Sequence, residues 1–593
     1  MSDSSHDDDA RLSRRNLLRA GAVSGVAALS GGAVGPAAAA ACGNAIAPSD
    51  DPEDIVLVNG RIHTMDDQNR VVQSVAIRNG KFIYVGHNGR PASPNATVID
   101  LRGRTVVPGV VEGHDHIVSM ANRVGYHTPI ESATSISQVQ QILAARRPGV
   151  PQGQWITAMG GWHANQFTDV RRAPTRAELD AAVSDRPVML FFQFTGPAVV
   201  NSLGKAFLES VTSPLAGPVT VADNGTITAG LQSTTALYHL RVRQTFEDKR
   251  RSTLDAMAFS ASVGVTAHLD ETLFPTPGPL MPNQALSNLD QYTMYNPWLS
   301  LHREGKTIVR LQMNFLQNQN DPALPELHER LRNQFQFFGD PMMMTGSIGE
   351  WAAPIGSGNV WREAQRLVGQ YQWRNENAVG SLAQLQQVVE AYEAVDQEFG
   401  IKGLRWMVHH VPFVSNDLLT RLKNLGCGVE MAAFRWVSSA ANPPAPVGAP
   451  FRTIVDHGIQ VGIHGDGVHI APLNPWLHIY YATTGINSFG TQVNPGQQLT
   501  RQEALRLFTR GNSWFLRMED KIGSIETGKL ADLLVLNKDY FSVSDEEIKR
   551  IRPVMTIVDG VVVHDTGVLG SHKAKQRDYR GHADARGRWD ADY

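Results

Sequence analysis

Cysteine is almost missing from this chain: there are two in 593 residues, Cys42 and Cys427, and neither belongs to a Cys-x-x-Cys pair. A thiolate zinc cluster is therefore excluded. Cys427 lies in the apolar run Leu425-Gly426-Cys427-Gly428-Val429 and reads as a core thiol, while a Cys42–Cys427 bridge stays open. Charge of one sign is also missing. The net charge is −3, charged residues make up 19 %, and the body carries no dense Lys/Arg block. Without a concentrated basic surface, nucleic acid is not an expected partner. No internal repeat and no heptad pattern occurs. What is present is length, a 42 % hydrophobic content and many Gly (53) and Pro (32) residues. That is more than one ordinary domain, with tight connections between its elements.

The front of the chain reads as an address. Ser13-Arg14-Arg15-Asn16-Leu17-Leu18 precedes an Ala/Gly-rich stretch from Ala20 to Ala41 that is too rich in glycine for a stable membrane helix. The pattern is similar to a twin-arginine export signal over residues 1–45, with small residues Ala37 to Ala41 for cleavage. The expected location is outside the cytoplasmic membrane, periplasmic or secreted, after passage through the twin-arginine translocase, with no membrane span left. Lipid anchoring at Cys42 is the minority reading.

After the leader, residues 52–104 alternate short apolar runs with turns. Ile55-Val56-Leu57-Val58 meets Asn59-Gly60, and Val75-Ala76-Ile77 meets Asn79-Gly80. Asn-Gly between apolar runs is a strong hairpin signal. Residues 516–570 look alike, with Leu533 to Leu536, Met555 to Val558 and Asp559-Gly560 before Val561. The body, 105–515, alternates strands such as Pro187 to Phe192 and Ile459 to Ile463 with helices such as Leu382 to Val395 and Asn416 to Leu425. The expected fold class is α/β: a (β/α)8 TIM-like barrel with an insertion at about 145–250, plus a small β-sandwich built from both chain ends. Residues 571–593 read as a polar tail.

The chemistry starts at Glu112-Gly113-His114-Asp115-His116, which follows the strand-like Thr105-Val106-Val107 and the turn Pro108-Gly109. Residues two apart on an extended segment share a side, so His114 and His116 can hold one divalent metal from one face.

These parts resemble the amidohydrolase superfamily, in its large branch that includes N-substituted formamide deformylase. The resemblance runs from Ile55 to Val563 and is densest in Val107 to His116, in Gly264-Val265-Thr266 and in Ile522 to Leu536. It implies two more metal positions: His410, ahead of Ser415-Asn416-Asp417-Leu418, and Asp466 in Gly462-Ile463-His464-Gly465-Asp466. It also implies departures. Against the branch's fourth-strand Gly-x-Lys-x-x-x-Asp-Gly, Pro341 stands for the lysine and Thr345 for the aspartate, so no bridging carbamate can form. Asn377 replaces a fifth-strand histidine, and Gly196-Pro197 replaces a Gly-His pair.

The ligand set that remains is His114, His116, His410 and Asp466, which suits one divalent ion, zinc by its donors, with an open position for water. Asp466 and His410 are the expected catalytic residues, with Asp466 moving the proton of a metal-activated water. Asn377, His409 and His464 are the expected substrate-binding residues. Glu271 and Glu350 are candidate supplementary carboxylates, and His163 and His268 read as packing histidines. The expected activity is hydrolysis of a non-peptide carbon–nitrogen bond in a small molecule by a mononuclear centre. Ester or C–C hydrolysis, decarboxylation and a degenerate binding role stay open as alternatives, as does a homo-oligomer. The Phe434-Arg435-Trp436 stretch and the Trp476/Tyr480/Tyr481 cluster hint at an apolar ligand.

Overall fold

The computed structural model describes residues 55–570 apart from 88–94, 193–195, 214, 272, 275–293, 319, 435, 437–447 and 468–469. The expected leader, Cys42, Arg435, His469 and the polar tail lie outside the described residues.

Strands from both ends of the chain build two sheets. Ile55–Val58 pairs antiparallel with Ser74–Arg78 and parallel with Thr97–Asp100. The second sheet has six strands and interleaves the two ends: Thr105–Pro108 lies between Arg61–His63 and Leu533–Leu536, with Leu534 opposite Val107. The turns follow their residues. Asn79-Gly80 and Asp559-Gly560 carry positive φ at both positions (50° and 75°, 53° and 72°), as a tight hairpin demands. The sheets share an apolar core in which Ile55, Leu57 and Phe82 meet Leu533, Val535 and Ile557.

Between them lies a TIM-barrel-like α/β body. Its strands are β1 (Val110–Asp115), β2 (Val265–Asp270), β3 (Arg310–Met313), β4 (Met343–Thr345), β5 (Glu376–Ala378), β6 (Met407–His410), β7 (Gly428–Ala432) and β8 (Gln460–His464). β1 to β4 pair parallel in sequence, and so do β5 to β8. The parallel bridge Ile348↔Asn375 joins the two arcs. On the other side Asn512 stitches β1 to β8, donating to Val111 O (2.6 Å) and Ile463 O (2.7 Å) while accepting from Ile463 N (3.0 Å). Gly113 is required there, because a Cβ would stand 1.9 Å from Glu430 Oε1.

Helices alternate with these strands as the patterning suggests. Leu382–Phe399 starts on Ser381, whose hydroxyl accepts from Gln384 N, and buries Leu385, Val388, Val389, Tyr392 and Val395 on one stripe. It runs past the expected Val395 and stops at Gly400, where φ is +69°.

The insertion differs from its expected bounds. A five-stranded sheet runs from Tyr126–His127 to Thr226–Ile227, between β1 and β2. It therefore begins well before residue 145, and the Pro187 to Phe192 run belongs to it as Val188–Phe191. Apolar content alone does not distinguish an inserted strand from a barrel strand.

Arg310, at the amino end of β3, is buried and grips Asp532 through two bonds of 2.7 and 2.8 Å, tying the barrel's floor to the end-strand sheet. It also donates to Pro341 O at 3.1 Å. Pro341 thus sits at the floor, at the opposite end of the strands from His410. Thr345, placed by resemblance at an aspartate position, turns to Phe335 O and Phe338 N instead.

Candidate metal centre

The expected ligands converge. Asp466 Oδ1 lies 3.2 Å from His116 Nε2 and 3.6 Å from His114 Nε2, and Oδ2 lies 3.3 Å from His410 Nε2. Each comes from the carboxyl end of a barrel strand. His114 is inside β1 and His116 just beyond it; His410 ends β6, and Asp466 follows β8 by two residues. Two of the four hold left-handed backbone, His410 at φ +68° and Asp466 at φ +55°. Such conformations cost of order 1–3 kcal/mol and persist only where surrounding contacts enforce them.

That strain explains how neighbours on one strand both serve the interior. Parity says that His409 and His410 face opposite sides. His409 does point into the barrel, but the left-handed turn at His410 swings its ring over the rim onto Asp466.

The donors fit a cation. His114 is fully buried, and neither of its ring nitrogens makes a hydrogen bond; His410 Nε2 is a further orphan. Burial lowers the affinity of His116 for a proton, yet Asp466 outweighs it and pushes the ring up to about 9. Burial alone would also raise Asp466, but the three imidazoles hold it well below the usual carboxylate range. The potential that retains protons on these rings is the potential a divalent ion would meet. Glu271 orients both strand-1 histidines: its carboxylate is 3.0 Å from His114 Nδ1, and its carbonyl oxygen is 2.9 Å from His116 Nδ1. Both Nε2 atoms are left facing Asp466. Glu350 stands at the rim, 3.8 Å from His410 Nε2.

The expected substrate contacts fall elsewhere. Asn377 points outward from β5, accepting from Trp361 Nε1 (2.9 Å) and donating to Gln365 (2.8 Å) and Tyr392 Oη (2.9 Å). It braces the barrel against its helices and does not reach the pocket. His409 is fully buried, 3.0 Å from Glu376 and 3.1 Å from Glu430. Burial pulls it down, but Glu271, Glu376 and Glu430 push it up to about 10. His464 is equally buried, its ring packed on His114 (4.7 Å) and His410 (5.3 Å). Burial and the neighbouring imidazoles hold it well below an ordinary histidine. His163 caps a short helical turn, accepting from Asn165 N, and His268 Nδ1 bonds Asp115 at 2.5 Å, both in packing roles. Trp476, Tyr480 and Tyr481 are core side chains.

A small cavity of about 40 Å³ opens beside His410, lined by Val379, Pro412, Ala432, Phe434 and Ala449. Sequence reading missed Glu376 and Glu430 altogether. The available signal was a carboxylate inside an apolar strand, Val429-Glu430-Met431.

The fold and the donor set are those of a TIM-barrel-like, metal-dependent hydrolase. The chain belongs to the amidohydrolase family, whose sequence profile matches residues 97–564. It is 22 % identical to N-substituted formamide deformylase of Arthrobacter pascens, over 86 % of this chain and 98 % of that protein. It is 23 % identical to the putative amidohydrolase YtcJ of Bacillus subtilis (strain 168), over 85 % and 98 %. Among solved structures, a metal-dependent hydrolase from Pyrococcus furiosus superposes with a TM-score of 0.52 at 20 % identity, over 82 % of this chain and all (100 %) of that one. The zinc complex of atrazine chlorohydrolase TrzN from Arthrobacter aurescens TC1 gives 0.52 at 15 %, over 87 % and 97 %. At these identities the structural likeness speaks for the fold.

Proposed function

We propose that the protein is an exported amidohydrolase that cleaves a small, non-peptide amide with one catalytic divalent ion, zinc by its donor set. The observation that carries this reading is the approach of three imidazoles to Asp466 within 3.2–3.6 Å. His114, His116, His410 and Asp466 would hold the ion. When bound, it supplies a Lewis acid that polarises the substrate carbonyl and brings the pKa of water towards about 7.

The chain's own groups do the rest. Asp466, whose Oδ2 lies 3.3 Å from His410 Nε2, takes the proton of the attacking water, then returns it to the departing amine nitrogen. His410, half over the rim, orients the carbonyl oxygen. Glu350 adds a second carboxylate near the leaving group. The small cavity beside His410 offers room for a formyl- or methyl-sized group of the substrate. The deformylase relative supports a C–N bond as the target. The Ser13-Arg14-Arg15 pattern supports export through the twin-arginine route.

A panel of N-substituted formamides and longer amides, matching esters and aromatic acids tests the reaction. Release of amine by the wild type, abolished in Asp466→Asn, supports it. Full turnover after exhaustive chelation, or turnover of esters or acids alone, refutes it.

A further inference from the structure

Below the centre just described, the barrel interior holds a second set of donors that shares only His114 with it. His114 Nδ1, on the far side of its ring from Asp466, lies 3.0 Å from Glu271 Oε2. His409 Nε2 lies 3.7 Å from Glu271 Oε1 and 3.0 Å from Glu376 Oε2. The nitrogens of His114 and His409 and a Glu271 oxygen all fall within 4.8 Å of one another. We propose that His114, Glu271, His409 and Glu376 form a second, fully enclosed site for a divalent transition-metal cation.

Three observations carry this beyond an acidic cluster. The first is the orphaned contact. His114 Nδ1 and Glu271 Oε2 face each other, both fully buried, and neither makes a hydrogen bond. A cation held by both atoms would take the place of the proton that otherwise links this 3.0 Å contact. The second is the supporting shell. Asn314 Nδ2 donates to Glu271 Oε1 (3.1 Å) and Glu376 Oε2 (2.7 Å), while Arg374 and Ser347 hold Glu376 Oε1. Glu430 Oε2 lies 3.1 Å from His409 Nδ1, which turns Nε2 to the site in the way carboxylates commonly orient ligating histidines. The third is charge. Glu271, Glu376 and Glu430 converge in the interior, where among the described residues Arg374, His409 and His114 face them, and buried carboxylates are stable only when fully compensated.

Two nitrogens and two carboxylates suit zinc or a neighbouring transition metal better than calcium or magnesium. The inner site has no exposed ligand, so its ion holds the walls β1, β5 and β6 together and takes no substrate.

The test is metal stoichiometry of the mature full-length protein after zinc saturation and dialysis, with a cobalt-substituted absorption spectrum as a second readout. About two equivalents are expected for the wild type and about one for Glu271→Gln, His409→Asn and Asp466→Asn, while Glu430→Gln weakens the inner equivalent by about 10- to 100-fold. Asp466→Asn keeps the inner cobalt spectrum and loses amide turnover. One equivalent in the saturated wild type overturns the proposal and needs no variant to fold. One equivalent retained in Glu271→Gln but lost in Asp466→Asn overturns it as well, leaving Glu271 as an orienting carboxylate. Two equivalents without amide hydrolysis would sink the catalytic reading and leave the inner site standing.

Discussion

The end-strand sheets and the barrel are built from similar short, apolar-rich strands, yet they enclose opposite interiors. Ile55, Leu57, Phe82, Leu533 and Ile557 fill the space between the sheets with hydrocarbon. The barrel's interior buries His114, His409, His464, Glu271, Glu376 and Glu430 at no exposure. The sheets repay their ordering through area removed from water. The barrel's polar interior stabilises little without a cation, because buried ionisable groups gain only when fully compensated. Substitutions in the apolar core of the end sheets and in the polar interior of the barrel should therefore act on different properties.

The largest expected effect is at the centre. Asp466→Asn should lower turnover on the order of 10³-fold; a minor loss of turnover would mean the proton moves elsewhere. Next comes the apolar side. Ile557→Ala should cost about 3 kcal/mol in denaturant titration, with turnover per folded molecule unchanged. Asn512→Ala touches both properties. It opens the β1–β8 seam, at about 1–3 kcal/mol, and should lower turnover too, since that seam aligns His114 with Asp466. Asn377→Ala should cost about 1–2 kcal/mol by stripping Trp361 and Tyr392 of a partner, while KM stays fixed; a raised KM would return Asn377 to the pocket.

The smallest effect is a pH dependence at the joint between the two parts. His63, stacked on Phe541 at 3.8 Å, is lowered to about 4 by burial and then by Arg61. Its folded pKa lies below its unfolded value near 6.5, so the unfolded chain binds the proton first. Stability is complete above about 6.5 and falls as pH drops towards about 4. With its partial exposure the change is about 1 kcal/mol. His63→Phe should flatten that window in pH-dependent melting.

The same division governs what could be read from sequence. Asn-Gly and Asp-Gly turns between apolar runs foretold the end sheets, because a two-residue hairpin has few solutions. His114, His116, His410 and Asp466 were legible through motif and resemblance. Asn377 was misplaced because resemblance supplied its position along β5 but not which side it faces. His409 and His464 were assigned to substrate because no sequence rule reports depth in a barrel. Glu376 and Glu430 were passed over, although a lone acid inside an apolar strand is a standing question about compensation.

Anomalous X-ray scattering from crystals grown with zinc tests the central claim most directly. The account predicts a peak within about 2.0–2.2 Å of His114, His116, His410 and Asp466 together. A saturated crystal with those four side chains in place and no scatterer among them would contradict it.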